Sequence, residues 1–186
     1  MLARATRLVT AVGVLLCAAA ASAADIGYDA KADPFIQLEV ALKQAQVRHQ
    51  LVLLVAGGDW CVWCHYLHAF LEANEDLDNA LHEVFVVQKV YMGDDNRNEE
   101  FFASLPKADG YPHFWIIAAG GAILESQPTV VLEDGKKSYD RAKFAAFIER
   151  WKKRDAASSL EILLKNVQSV PANELPRKNV QQVPAN

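Results

Sequence analysis

The stretch LVLLVAGGDWCVWCHYLHAF, residues 51–70, decides how this chain is read. Leu51 to Ala56 is an unbroken apolar run that stops at Gly57-Gly58. A run of that length bounded by glycines suits a strand buried on both faces. From about Val62 to Asn74 the apolar residues Trp63, Leu67, Phe70 and Leu71 return at helical spacing. Cys61 and Cys64 therefore lie where a strand has turned into the start of a helix. Three chemistries use this spacing: a redox dithiol reads C-x-x-C, covalent haem reads C-x-x-C-H, and a metal site reads two thiolates plus an imidazole.

The redox reading follows from the helix start. Its unpaired N–H groups and the positive end of its dipole favour an anion, and a thiolate is one. A free cysteine with a pKa near 8.5 is only slightly ionised at neutral pH, and C-x-x-C settings at helix starts lower that value. Cys61 is then the exposed nucleophile, and Cys64, one turn in and more buried, resolves the mixed disulfide. Closing a loop with two intervening residues restrains little of the unfolded chain, so the pair is read as present for reactivity rather than stability.

The rest of the cysteine inventory agrees. The only other cysteine is Cys17. It lies in a segment with Arg4 and Arg7 at its start, an uncharged run from Leu8 to Ala21, and the small residues Ala21-Ser22-Ala23. This is the three-part pattern of a secretory signal cleaved before Ala24. Residues 1–23 are thus expected to be a signal peptide and the mature chain to be exported, periplasmic. The run is too short and too weakly flanked to be read as a membrane span, and an uncleaved N-terminal anchor is the alternative. Leu16 precedes Cys17 where lipoprotein processing needs a small residue, which excludes a lipid anchor there. Loss of residues 1–23 removes two arginines and no acid, taking the formal net charge from −4 to −6. With no basic stripe, nucleic acid is not expected as a partner.

Outward from the motif, Asp33-Pro34 caps and opens a helix marked by Phe35, Leu38, Leu42 and Ala45. A second short helix is expected over 76–83, a strand over 84–92, a polar loop at GDDNRNEE and a short helix at EEFFASL. A strand over 113–119, a Gly120-Gly121 turn and a partner over 122–127 form a hairpin. A last helix starts at Ser138 or Asp140, with Phe144, Phe147, Ile148 and Trp151 on one face. Crossovers followed by a hairpin imply an α/β fold, a mixed sheet covered by helices. One domain over residues 24–154 fits the length. Residues 155–186 are expected to be a largely disordered extension. There KNVQSVPAN (165–173) returns as KNVQQVPAN (178–186), too few copies for a solenoid.

The motif in this setting resembles the thioredoxin superfamily. DWCVWCH looks like that family's W-C-x-x-C active site, with Trp60 in the place of its tryptophan. GYPHFWII looks like its cis-proline loop, which makes Pro112 the cis-proline, preceded by Tyr111. The resemblance spans roughly residues 33–153. It implies a thioredoxin-like fold and a thiol–disulfide oxidoreductase, with reductase use favoured. Catalysis would fall to Cys61 and Cys64, substrate contact to Trp60, Trp63, Tyr111 and Pro112, and tuning to His65. The redox-active pair would serve in place of any separate cofactor. Partners would be protein thiols and disulfides and a separate redox donor, a membrane-embedded one being an option for an exported chain. Two departures stand out. The family's buried Asp, proton acceptor for the resolving cysteine, is by spacing Val55 here, which leaves water, Asp59, Glu72 or Lys89 for the role. The residues between the cysteines are Val62 and Trp63, and Trp63 can either dock an apolar substrate patch or pack on its helix.

The other two chemistries make their own demands. Haem would take Cys61, Cys64 and His65, with a second axial ligand from Met92 or a histidine. A copper or zinc carrier would use Cys61, Cys64 and His65, with His68 one turn beyond Cys64. The bland reading of His68 and His82 is that of ordinary, partly exposed helix histidines.

Overall fold

The computed structural model describes residues 25–169. The expected signal segment, Cys17 and most of the repeated tail lie outside the described residues. The chain runs α1 (Pro34–Arg48), β1 (Leu51–Gly57), α2 (Val62–Ala73), α3 (Glu75–Val84), β2 (Phe85–Tyr91), α4 (Glu99–Ala103), β3 (His113–Ile117), β4 (Ile123–Pro128), a 3-10 turn (Thr129–Leu132) and α5 (Arg141–Ser169).

Local chemistry sets several of these boundaries. Asp33 accepts hydrogen bonds from the backbone N–H groups of Phe35 at 2.9 Å and Ile36 at 3.3 Å, satisfying donors that the first turn of α1 leaves open. His49 ends that helix in the left-handed region at φ 54°. Asp140 caps α5 by accepting from the Lys143 N–H at 2.9 Å. That helix continues through Arg154, the expected edge of the domain, as far as Ser169.

The sheet order is β2-β1-β3-β4. β1 runs parallel to β2 and antiparallel to β3, and β3–β4 is the hairpin. β1 is buried at all seven positions, as a central strand covered on both faces should be. Its side chains alternate between two cores. Leu51, Leu53 and Val55 join Phe114 and Ile116 beneath α2, α3 and α5. Val52, Leu54 and Ala56 join Trp115 and Ile117 beneath α1 and α4. The first core is rich in rings. Phe85 stacks on Phe147 with centroids 5.9 Å apart, and Phe70 meets Phe144 at 5.2 Å. The second is built around the small residues Ala41 and Ala45 of α1. The Cys61–Cys64 motif sits over the first core, at the C-terminal end of β1.

Candidate active site

β1 delivers the chain to the site through Gly57. A Cβ there would collide with the Cys64 sulfur and lie 2.8 Å from the Tyr28 hydroxyl, so only glycine lets the strand, the sulfur and the phenol meet. Cys61 then occupies the N-cap of α2, in extended backbone at φ −89°, ψ 105°. Its sulfur accepts the Cys64 N–H at 3.2 Å, in the place where a capping side-chain oxygen usually sits. Cys61 and Cys64 form a disulfide, with Cα atoms 5.2 Å apart. The same amide and the same helix end favour the Cys61 thiolate when the pair is reduced.

The expected contrast between an exposed Cys61 and a buried Cys64 is not found. Cys61 is 4% exposed and Cys64 3%. The Cys61 sulfur is turned back on the Cys64 amide and bonded to the Cys64 sulfur, which leaves little of it to solvent. The two cysteines differ instead in their surroundings. Cys61 caps the helix beside Trp60, whereas Cys64 lines a cavity of about 370 Å³ on the inner side of the motif.

The two tryptophans at the motif have different surroundings. Trp60 is 54% exposed. Its indole lies against Gly58 and Gly93, where a Cβ would obstruct it, and its Nε1 donates to the Met92 carbonyl at 2.7 Å. It meets the Tyr111 ring edge to face at 5.8 Å. Trp63 is the packed one, held edge to face by Tyr66 at 5.3 Å and Tyr139 at 5.9 Å. Of the two readings open for Trp63, packing is the one its ring contacts favour, and its neighbour Val62 is 55% exposed. The exposed apolar pair at the motif is Trp60 and Val62.

The Trp60–Tyr111 contact brings the Tyr111-Pro112 loop to the motif, and the peptide bond between these two residues is cis. The Pro112 carbonyl accepts the buried Thr129 hydroxyl at 2.8 Å. The Tyr139 hydroxyl lies 3.4 Å from Thr129 Oγ1 and 3.5 Å from the Trp63 carbonyl. This chain ties the proline loop to the first turn of α2. Burial raises the Tyr139 phenol above its ordinary pKa. After Pro112 comes His113, whose Nδ1 accepts the Asp109 N–H at 3.3 Å and whose Nε2 pairs with Ser126 Oγ at 2.8 Å. Burial pushes the His113 pKa down, against the pull of Asp109.

His65 Nε2 lies 2.7 Å from the Asp59 carbonyl. A carbonyl only accepts, so that nitrogen carries a proton, and the ring pins the loop that leads into the motif. His68 faces Glu72 at 3.4 Å. Among the described residues no three His, Cys, Asp or Glu side chains are gathered to hold a metal ion, so the donor set of the carrier reading is not assembled. The haem reading needs two free sulfurs and a free His65 ring, and here the sulfurs are joined and Nε2 is engaged.

Val55 is buried in β1 and brings no carboxylate. Directly opposite it in the parallel ladder stands Lys89 of β2. The Lys89 ammonium donates to the Ile26 carbonyl at 2.6 Å and lies 5.7 Å from the centroid of the Tyr28 ring. Burial lowers the Lys89 pKa, opposed by Asp78, Asp25, Asp59 and Glu72. Burial also raises the Tyr28 phenol. Tyr28, Thr129 and Tyr139 were not singled out from sequence. Nothing local marks them, since their place at the site comes from loops that meet only in three dimensions.

Comparison with known proteins places this arrangement. A family described as thioredoxin-like matches residues 33–119. Solved structures that resemble the chain include a disulphide isomerase from Xylella fastidiosa Temecula1, 26% identical, with a TM-score of 0.57, covering 67% of this chain and 95% of that one. A search of curated proteins finds no match. A helix-start dithiol on this four-stranded mixed sheet, in a chain similar to the thioredoxin-like family over residues 33–119, is the site of a thiol–disulfide oxidoreductase with a thioredoxin-like fold.

Proposed function

We propose that the chain is an exported, periplasmic reductase of protein disulfides. Cys61 is its nucleophile and Cys64 its resolving cysteine. Trp60, Tyr111 and Pro112 shape the groove for an extended substrate, with Val62 beside them, and His65 tunes the pair by fixing the loop at Asp59. The observation that carries the reading is the Cys61 sulfur at the N-cap of α2, accepting the Cys64 amide. A thiolate held there is stabilised without a neighbouring charge. Export is supported by the signal-like residues 1–23, after which Cys61 and Cys64 are the only cysteines. The structural likeness to a disulphide isomerase supports protein disulfides as the substrate class. Electrons come from a separate donor, for which a membrane-embedded protein is suited.

The test is the reduction potential, measured against glutathione, together with insulin reduction by Cys61→Ser and Cys64→Ser. A reductase sits near the reducing end of the superfamily, about −270 mV, and a value near −120 mV would mark an oxidant instead. Cys61→Ser abolishes exchange, and Cys64→Ser accumulates mixed disulfides with substrate. Full exchange by Cys61→Ser would overturn the nucleophile assignment. Cell fractionation and the mature N-terminus check export, the expected first residue being Ala24.

A further inference from the structure

Cys64 must lose a proton before it can attack the mixed disulfide at Cys61. The ladder position beneath it carries Val55, which cannot take one. Of the groups left, Asp59 directs its carboxylate to the Ile26 N–H at 3.4 Å and does not line the inner cavity. Glu72 lines it, but its side chain is 68% exposed and faces His68. Lys89 stands across from Val55 in the β1–β2 register, lines the same cavity as Cys64, and is held by the Ile26 carbonyl and the Tyr28 ring. A cavity of about 370 Å³ has room for water between amine and sulfur, a water occupying about 30 Å³.

We infer that Lys89 is the proton acceptor for Cys64. In the step, the Cys64 S–H proton passes to the neutral Lys89 amine, giving a thiolate and an ammonium. The thiolate attacks the Cys61 sulfur and the Cys61–Cys64 disulfide forms. The bond from Cys61 to the substrate sulfur breaks, and the substrate leaves as a thiolate that protonates from solvent. The dithiol is oxidised by two electrons and the substrate disulfide is reduced by two.

The groups around Lys89 set its proton affinity. Asp25 and Tyr28 of the N-terminal segment, Asp59 before α2, Glu72 and His68 on α2, and Asp78 and His82 on α3 surround it. Burial outweighs the carboxylates and lowers the pKa from 10.5. The neutral amine therefore becomes available at lower pH than for a solvated lysine, and the resolving step accelerates as pH rises through that range.

The inference rests on Cys64 being the resolving cysteine, and the experiment separates the two. The reduced full chain is mixed with a symmetrical aromatic disulfide under single-turnover conditions. One chromophoric thiolate is released when Cys61 attacks and a second when Cys64 resolves. Lys89→Met removes the base, and Lys89→Arg keeps the charge but cannot give up its proton. Both variants should keep the first release and slow the second by about 100-fold at neutral pH, with the pH profile of the second release moved upward. If Lys89→Arg resolves at the wild-type rate, positive charge alone suffices and the inference is overturned. It is equally overturned if both variants do. Should Lys89→Met fail to fold by circular dichroism, Lys89→Arg alone decides. If Cys64→Ser still releases both thiolates, the failure belongs to the assignment of Cys64 and not to Lys89.

Discussion

The two faces of the sheet are built from alternate residues of the same strands and do different work. Beneath α2, α3 and α5, β1 contributes Leu51, Leu53 and Val55 to a core filled with rings, and the cysteine motif rests on that core. Beneath α1 and α4, Val52, Leu54 and Ala56 meet the alanines of α1, which let that helix lie close. The ring-filled face couples packing to the site, because Phe144 touches both Phe70 of α2 and Tyr139, and Tyr139 reaches Thr129 and the Trp63 carbonyl. The alanine face holds the sheet together without touching either sulfur. A mutation that empties the first should be felt by the dithiol, and one that empties the second should not.

The largest effect is expected from Phe144→Ala, which loses about 3–5 kcal/mol by leaving a cavity between α5 and α2. A urea melt reads the loss, and the reduction potential should shift with it. Leu54→Ala on the other face should cost about 2–5 kcal/mol and leave the potential where it was. Equal shifts in potential from these two variants would break the division between faces. Gly57→Ala forces a methyl group against the Cys64 sulfur and Tyr28, and overpacking of this kind costs typically about 1–3 kcal/mol. Faster reduction of its disulfide by dithiothreitol checks it, and an unchanged rate would mean that the strand yields easily there.

The smallest effect is a slope with pH, and it belongs to the alanine face, where His113 stacks on Trp115 at 4.5 Å. Burial holds the His113 pKa below 6.5. Between that lowered value and 6.5 the unfolded chain binds a proton that the folded chain refuses. This contribution to stability is complete above about 6.5, falls as the solution is acidified through that window, and levels off once the folded imidazole also protonates. Urea midpoints at neutral pH and at pH values below 6 should differ, and His113→Gln should flatten the difference. A slope that survives the substitution assigns it to other groups.

Much of the scaffold was legible because its signals are local. The Asp33-Pro34 start of α1, the apolar run of β1 and the ring spacing of α5 each follow from a few neighbouring residues. So did the cysteines, whose meaning comes from the strand before them and the helix after. The two tryptophans were harder. Their spacing places both at the motif, but only the rotation of α2 and the gap left by Gly58 and Gly93 send Trp63 inward and Trp60 outward. Tyr28 was not legible at all. It reaches Cys64 from the segment before α1 across a chain separation that no periodicity spans. The burial of Cys61 was misread because a helix start suggests access, while the disulfide and the amide bond turn its sulfur inward.

Trp60 has turned its lone N–H toward Met92, so the indole surface left to a visiting polypeptide offers no donor at all. Such a surface is indifferent to the order of residues it meets and rewards only greasiness. Under the substrate-contact role proposed for Trp60, breadth of clientele is the expected consequence. Sulfate, which strengthens apolar association, should tighten this grip without lending it any selectivity.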